Sequence, residues 1–279
     1  MTRPLVLKFG GELLEDRAHL GAVVSGVAAI ASAGNPLVIV HGGGKEIDAA
    51  LKRAGLEKRQ VDGLRITDDA TLDVVVAVLA GAINTRLVAA LNAAKVRAVG
   101  LTGADANCGL SDAAAPHQAV DGTVVDLERV GVPCADADMR LLQTLLKDGF
   151  VPVVACLGIG REGQLFNVNA DTLAGHLAAR LGARRLVMAG TTAGVLGDNG
   201  ATLPVLDTTA IADLVARGTA TAGMIAKLRA CEHALGGGVD EVVIVDGRDH
   251  TALIAAANSG DAPKTATRLT TAVRMMTRC

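Results

Sequence analysis

The chain has 279 residues, room for one large domain or two small ones, and half of them are apolar, ample for a continuous core. Only 1% is aromatic (three Phe, no Tyr, no Trp), which excludes a surface built to stack bases or sugars. A net charge of −2 excludes the basic field of a general nucleic-acid binder.

Pro4–Phe9 reads as a first strand, and Leu20, Val23, Val24, Val27, Ile30 and Ala31 then recur at helical spacing until Gly34-Asn-Pro36 stops them. Leu37–Val40 is a second buried strand, and His41-Gly-Gly-Gly44 opens the next helix. Thr67 and Asp68 are N-cap candidates for a helix carrying Leu72, Val75, Leu79, Ile83, Leu87 and Leu91. Further strands are expected at 98–101, 151–156, 186–189 and 242–246, with helices at about 136–149, 170–182, 208–217, 223–236 and 249–258. Residues 104–132, rich in turn formers and short Val runs, suggest a hairpin excursion. This βαβα rhythm calls for a largely parallel sheet covered on both faces, with two lobes sharing one sheet.

The N-terminus has no signal-peptide h-region, and no run is expected to approach the ~18 apolar residues of a membrane span. The five cysteines are scattered and lack a CxxC, so neither a zinc ribbon nor a redox dithiol is indicated. Buried thiols in a reducing cytoplasm are expected, without a membrane or nucleic-acid partner. The six histidines show no HxxxH or HExxH spacing, so no metal held wholly by side chains is expected.

Ligands of open α/β sheets bind beyond the carboxyl ends of strands, where helix N-termini present free N–H groups. Gly10-Gly11 and Gly42-Gly43-Gly44 occupy that position, as phosphate loops or simply as tight turns. Gly158-Ile-Gly-Arg-Glu-Gly163 has the GxGxxG form, but the polar stretch 164–169 precedes the next helix and the ribose-binding carboxylate is missing, so it is rejected as a dinucleotide site. Lys8 interrupts an apolar strand, either as an edge or snorkelling lysine or as a phosphate ligand. Lys227 lies one turn into a helix, where the dipole disfavours a cation, either exposed on the surface or facing an anion. Asp171 either caps its helix or holds those two lysines in place.

Lys8-Phe-Gly-Gly11, Val40-His-Gly-Gly-Gly44, Asp62-Gly-Leu-Arg-Ile-Thr67, Asn167-Val-Asn-Ala-Asp171 and Gly223-Met-Ile-Ala-Lys227 stand in the order and spacing of the amino acid kinase family. The chain resembles that family from its first strand to about residue 260, and the Asp62 and Asn167 segments resemble its N-acetylglutamate branch. The resemblance implies an αβα sandwich, with acyl substrate on residues 1–170 and ATP on 171–279. It implies phosphorylation of N-acetyl-L-glutamate in arginine biosynthesis. The kin of that substrate, N-acetyl-aminoadipate or free glutamate, and a non-catalytic sensor are the alternatives.

Carried over by position, Lys8 and Lys227 neutralise the transferring phosphoryl group and Asp171 orients both. Gly10, Gly11, Gly43 and Gly44 meet phosphate and the reacting carboxylate, and Arg65 and Asn167 fix the rest of the acyl substrate. ATP lies against Gly190, Thr191, Thr192, Gly194 and Leu196 and near Thr219 and Thr221, with Mg²⁺ held through its phosphates. The Ala189–Gly194 segment lacks an Asp that many relatives place there, and Ala222 replaces an acidic residue. Seven residues precede Lys8, fewer than the N-terminal helix of arginine-inhibited hexamers, so a homodimer that arginine does not inhibit is expected.

Overall fold

Five-residue runs of Leu, Val and Ile without alternation can be stable only where both faces of a strand are covered. The computed structural model describes residues 2–119, 121–197, 200–216, 222–258, 263 and 265–271, and it puts those runs in the middle of one sheet. Its strands in chain order are β1 (Leu5–Phe9), β2 (Leu37–His41), β3 (Ala98–Thr102), β4 (Val151–Ala155), β5 (Arg185–Gly190), β6 (Val205–Asp207), β7 (Glu241–Asp246) and β8 (Thr267–Thr270). They lie side by side as β6-β8-β7-β5-β1-β2-β4-β3. All neighbours are parallel except β7 and β8, so β8 and β6 run against the rest. Every residue of β1, β2 and β4 is buried.

Among the described residues the helices of eight or more residues are α1 (Arg17–Ser32), α2 (Gly44–Arg53), α3 (Asp69–Ala93), α4 (Arg140–Lys147), α5 (Ala170–Arg180), α6 (Thr208–Ala216), α7 (Ala222–Gly236) and α8 (His250–Ala257). They flank the sheet in two groups: α1 packs on α8 and α3, while α5 packs on β1 and on α7. Asp16, Asp68 and Asp249 cap α1, α3 and α8 through their side chains, so Asp68 rather than Thr67 starts α3.

Helix α3 is long and apolar enough to cross a bilayer, with a mean hydropathy of 2.0. Leu72, Val75, Leu79, Ile83, Leu87 and Leu91 bury one stripe of it against the sheet, as a core helix requires. Between Ala77 and Ile83 it widens into a π-helix, directly below the His41–Gly44 loop. The excursion after β3 gives Ser111–Ala113 and Val130–Pro133 to a second sheet, completed by Leu157–Ile159 and Leu165–Val168 from the segment after β4, and forms a hairpin of His117–Gln118 with Val124–Val125. The GxGxxG stretch is the turn between Leu157–Ile159 and its antiparallel partner Leu165–Val168, a context in which it opens no helix.

Candidate active site

Strand β1 lies between β5 and β2, so Lys8 is on a central strand and not at an edge. It is 7% exposed, and its Nζ stands 2.8 Å from Asp171 Oδ1. Asp171 can accept it because Asn169 performs the capping: the Asn169 side chain accepts from the N–H groups of Asp171 and Thr172 at 2.9 and 3.1 Å. The Asp171 carboxylate is thereby released from capping and turned toward the strand ends. Lys227, in the second turn of α7, donates to the same Oδ1 at 3.1 Å, and its side chain is 14% exposed. A Cβ on Gly175 would lie 2.6 Å from the Ala230 carbonyl oxygen, so the two helices touch backbone to side one turn beyond Asp171 and Lys227.

The electrostatics follow from this burial. Loss of water pushes the Lys8 ammonium down from the usual lysine value; Asp171 opposes that and Lys227 adds to it. Burial alone pushes the Asp171 carboxyl up, yet the two ammonium groups outweigh it and hold the group at about 2. Cys156, beside Lys8, is a thiol pushed up to about 12 by burial. One carboxylate between two ammonium groups leaves a net positive charge at the strand ends, matched to an anion.

Lys8, Gly10, Gly11, Gly43, Gly44, Arg65, Asn167 and Asp171 all line one cavity of ≈ 260 Å³. Gly11 and Gly43 must both be small, since a Cβ on Gly11 would sit 2.7 Å from the Gly43 Cα. Among the described residues no side chain caps the helix that begins at Gly44, so its first N–H groups remain for a ligand. Gly10 contributes open space rather than a donor, because its N–H goes to the Ala189 carbonyl at 3.1 Å.

The loop is held from below by His41. Its Nδ1 faces the Gly42 carbonyl at 3.2 Å, and Asn84 Nδ2 donates to its Nε2 at 3.0 Å and to the Val153 carbonyl at 2.9 Å. Burial depresses the imidazole to about 4, so it is neutral and can accept from Asn84.

Arg65 is carried by the hairpin of Gln60–Val61 and Leu64–Arg65, whose two turn residues, Asp62 and Gly63, both have positive φ, 46° and 79°. Its Nη2 is bonded to Asp48, and its Nη1 is buried without a hydrogen-bond partner among the described residues. Asn167 Nδ2 donates to Thr67 Oγ1 at 3.1 Å. Gly190, Thr191, Thr192, Gly194 and Leu196 lie outside this cavity, at and beyond the end of β5. The Thr191 hydroxyl donates to Glu12 at 2.6 Å, which joins that segment to the Gly10–Gly11 turn. Thr219 and Thr221 lie outside the described residues.

Sequence reasoning missed Asn169, Asp48, Thr67, Glu12 and the His41–Asn84 pair as parts of this site. Asn169 carried a usable signal, an amide two residues before a helical Asp; the others act through partners distant in sequence.

A cavity at the parallel strand ends, glycine loops on two adjacent strands and two lysines on one carboxylate define a phosphoryl-transfer fold. The model of the amino acid kinase family matches residues 3–246, and the chain belongs to that family. It is 40% identical over 258 residues to an acetylglutamate kinase of Parvibaculum lavamentivorans, covering 90% of this chain and 84% of that one. It is 42% identical over 248 residues to an acetylglutamate kinase of Sphingopyxis alaskensis, covering 87% and 82%. Among solved structures it resembles N-acetylglutamate synthase from Neisseria gonorrhoeae in complex with coenzyme A and N-acetyl-glutamate. There the TM-score is 0.80 at 25% identity, over 96% of this chain and 59% of that one.

Proposed function

We propose that the chain transfers the γ-phosphoryl group of ATP to the γ-carboxylate of N-acetyl-L-glutamate, a step of arginine biosynthesis, in the cytoplasm and as a homodimer. The observation that carries this is the convergence of Lys8 and Lys227 on Asp171, with Lys8 and Asp171 in the cavity that Arg65 also lines. A γ-carboxylate is ionised at pH 7 and needs no general base. One of its oxygens attacks Pγ, the bond from Pγ to the β–γ bridging oxygen breaks, and ADP leaves with that electron pair. The products are an acyl phosphate and ADP, and no proton moves.

The barrier is the approach of one anion to another, which placement and positive charge lower. Lys8 and Lys227 counter the charge on the equatorial oxygens, and Asp171 fixes where the lysines stand. The Gly11, Gly43 and Gly44 amides meet phosphate and the attacking carboxylate, while Arg65 and Asn167 hold the α-carboxylate and acetamido end. Residues 1–170 carry the acyl substrate and 171–279 the nucleotide, along Gly190–Leu196 and near Thr219 and Thr221. A magnesium ion would come in on the ATP phosphates. When bound there, it supplies charge neutralisation on the nucleotide.

The test is ADP release against N-acetyl-L-glutamate, free glutamate, N-acetyl-L-aminoadipate and carbamate, with acyl phosphate trapped as hydroxamate. N-acetyl-L-glutamate is expected to give the highest kcat/KM. A better acid elsewhere in the panel reassigns the substrate, and binding without turnover of any acid would make the protein a sensor.

A further inference from the structure

Arg65 owes its place to one carboxylate. Its Nη2 bonds Asp48 Oδ1 and lies 3.4 Å from the Gly44 carbonyl, while Lys58 Nζ holds the other Asp48 oxygen at 2.7 Å. Burial alone would push the Asp48 carboxyl up, but the two cations bring it below the usual range, so it is ionised. Asp48 stands about one turn beyond Gly44 in α2, the helix whose open N-terminus serves the cavity. The same short helix thus carries both the amides of the site and, one turn on, the anchor of the arginine. The Arg65 side chain is 13% exposed, and its buried Nη1 has no partner among the described residues. A buried guanidinium nitrogen left in that state is a strong donor awaiting an anion.

We propose that Asp48 is a positioning residue that sets the span between the Arg65 guanidinium and the Gly43–Gly44 amides, and thereby selects the chain length of the dicarboxylate. This rests on the reading above, in which Arg65 grips the α-carboxylate and the amides receive the reacting one. Two anionic ends must then meet two donors tied to one rigid element. An acid longer or shorter by a methylene reaches only one of them in register. Asp48 touches no reacting atom; it acts through Arg65.

The test compares the wild-type protein, Asp48→Asn and Asp48→Glu on N-acetyl-L-aspartate, N-acetyl-L-glutamate and N-acetyl-L-aminoadipate. The wild type is expected to separate neighbouring chain lengths by roughly 10–200-fold in kcat/KM. Asp48→Asn is expected to raise KM for N-acetyl-L-glutamate about tenfold, the loss of one charge-assisted hydrogen bond, with KM for ATP unchanged. The ratio between chain lengths should narrow by about fivefold or more. Asp48→Glu keeps the charge but moves the arginine by one methylene, and should shift the optimum away from the glutamyl acid. A purely structural ion pair would alter the unfolding midpoint and leave the ratio alone, and that outcome overturns the proposal. So does a wild type indifferent to chain length, or a lower KM in Asp48→Asn. If Asp48→Asn does not fold, as judged by circular dichroism, Lys58→Met releases the second oxygen of the same carboxylate and must narrow the ratio too; an unchanged ratio there is equally fatal. Failure of the wild type to turn over any acid removes the proposed reaction instead, which keeps the two failures distinct.

Discussion

A carboxylate buried beside two ammonium groups is held ionised by them, and they are held in place by it. Asp171 receives Lys8 at 2.8 Å and Lys227 at 3.1 Å on one oxygen, so removing its charge leaves two buried cations facing each other. Asp171→Asn keeps the shape and removes the charge. Its kcat is expected to fall by about 10²-fold, the scale on which loss of preorganised electrostatic support acts. The same variant reports on stability. The carboxyl titrates at about 2 in the fold against an ordinary value of 3.8, so its contribution is complete above pH 3.8 and is lost as pH falls through about 2. The stability difference between wild type and Asp171→Asn, from urea midpoints taken from pH 2 to 7, should be flat above pH 4 and shrink below it. A difference that stays constant down to pH 2 would refute the ionised bridge.

Helices α5 and α7 decide whether that bridge can form. Gly175 is one turn beyond Asp171 and Ala230 one turn beyond Lys227, and these two small residues let the helices close on each other. An added Cβ at 175 would stand 2.6 Å from a backbone carbonyl oxygen, which no rotamer change relieves. Gly175→Ala must therefore spread the pair. We expect a loss of about 1–3 kcal/mol from overpacking and a fall in kcat larger than the change in KM for the acyl substrate. Equal kcat with lowered stability would show that the helix spacing serves packing alone. Beyond this contact, His176 and His233 stack with ring centroids 6.0 Å apart on the same two helices. Burial first, with His233 and Arg180 adding, depresses His176 to about 4, so this contact too is made by a neutral ring.

The whole molecule was legible where one physical signal dominates a stretch. Parallel strands buried on both faces read as unbroken apolar runs, so β1, β2, β4, β5 and β7 stood out; β6 and β8, short and partly exposed, carry no such signal. Lys8 was legible as a charge that an apolar strand would not otherwise contain. The choice of Asn169 over Asp171 as cap had only the spacing of the two as its signal, since both residue types cap well, and the position of the lysines settles it. Asp48 reads as one more solvated helix charge until the hairpin at Asp62–Gly63 folds Arg65 back onto it.

The outward side of α3 poses a question at this same scale. Ala77, Gly81, Ala82, Thr85 and Ala89 form an exposed stripe of small residues along it, opposite the stripe that packs on the sheet. Beside it the sheet ends in β3, which pairs only with β4 among the described strands. An open edge and this helix face, on which the exposed Arg86 is ion-paired with Glu46, together suit a twofold contact between copies, in which residue i of one meets residue j of the other and j meets i. The wild-type chain is expected to sediment as a dimer at micromolar concentration. Ala82→Arg sets a bulky charge into this face on both copies and should convert the dimer to a monomer whose circular dichroism is unchanged. If the wild type sediments as a monomer, the dimer is ruled out; if Ala82→Arg remains a dimer, the contact lies on another face.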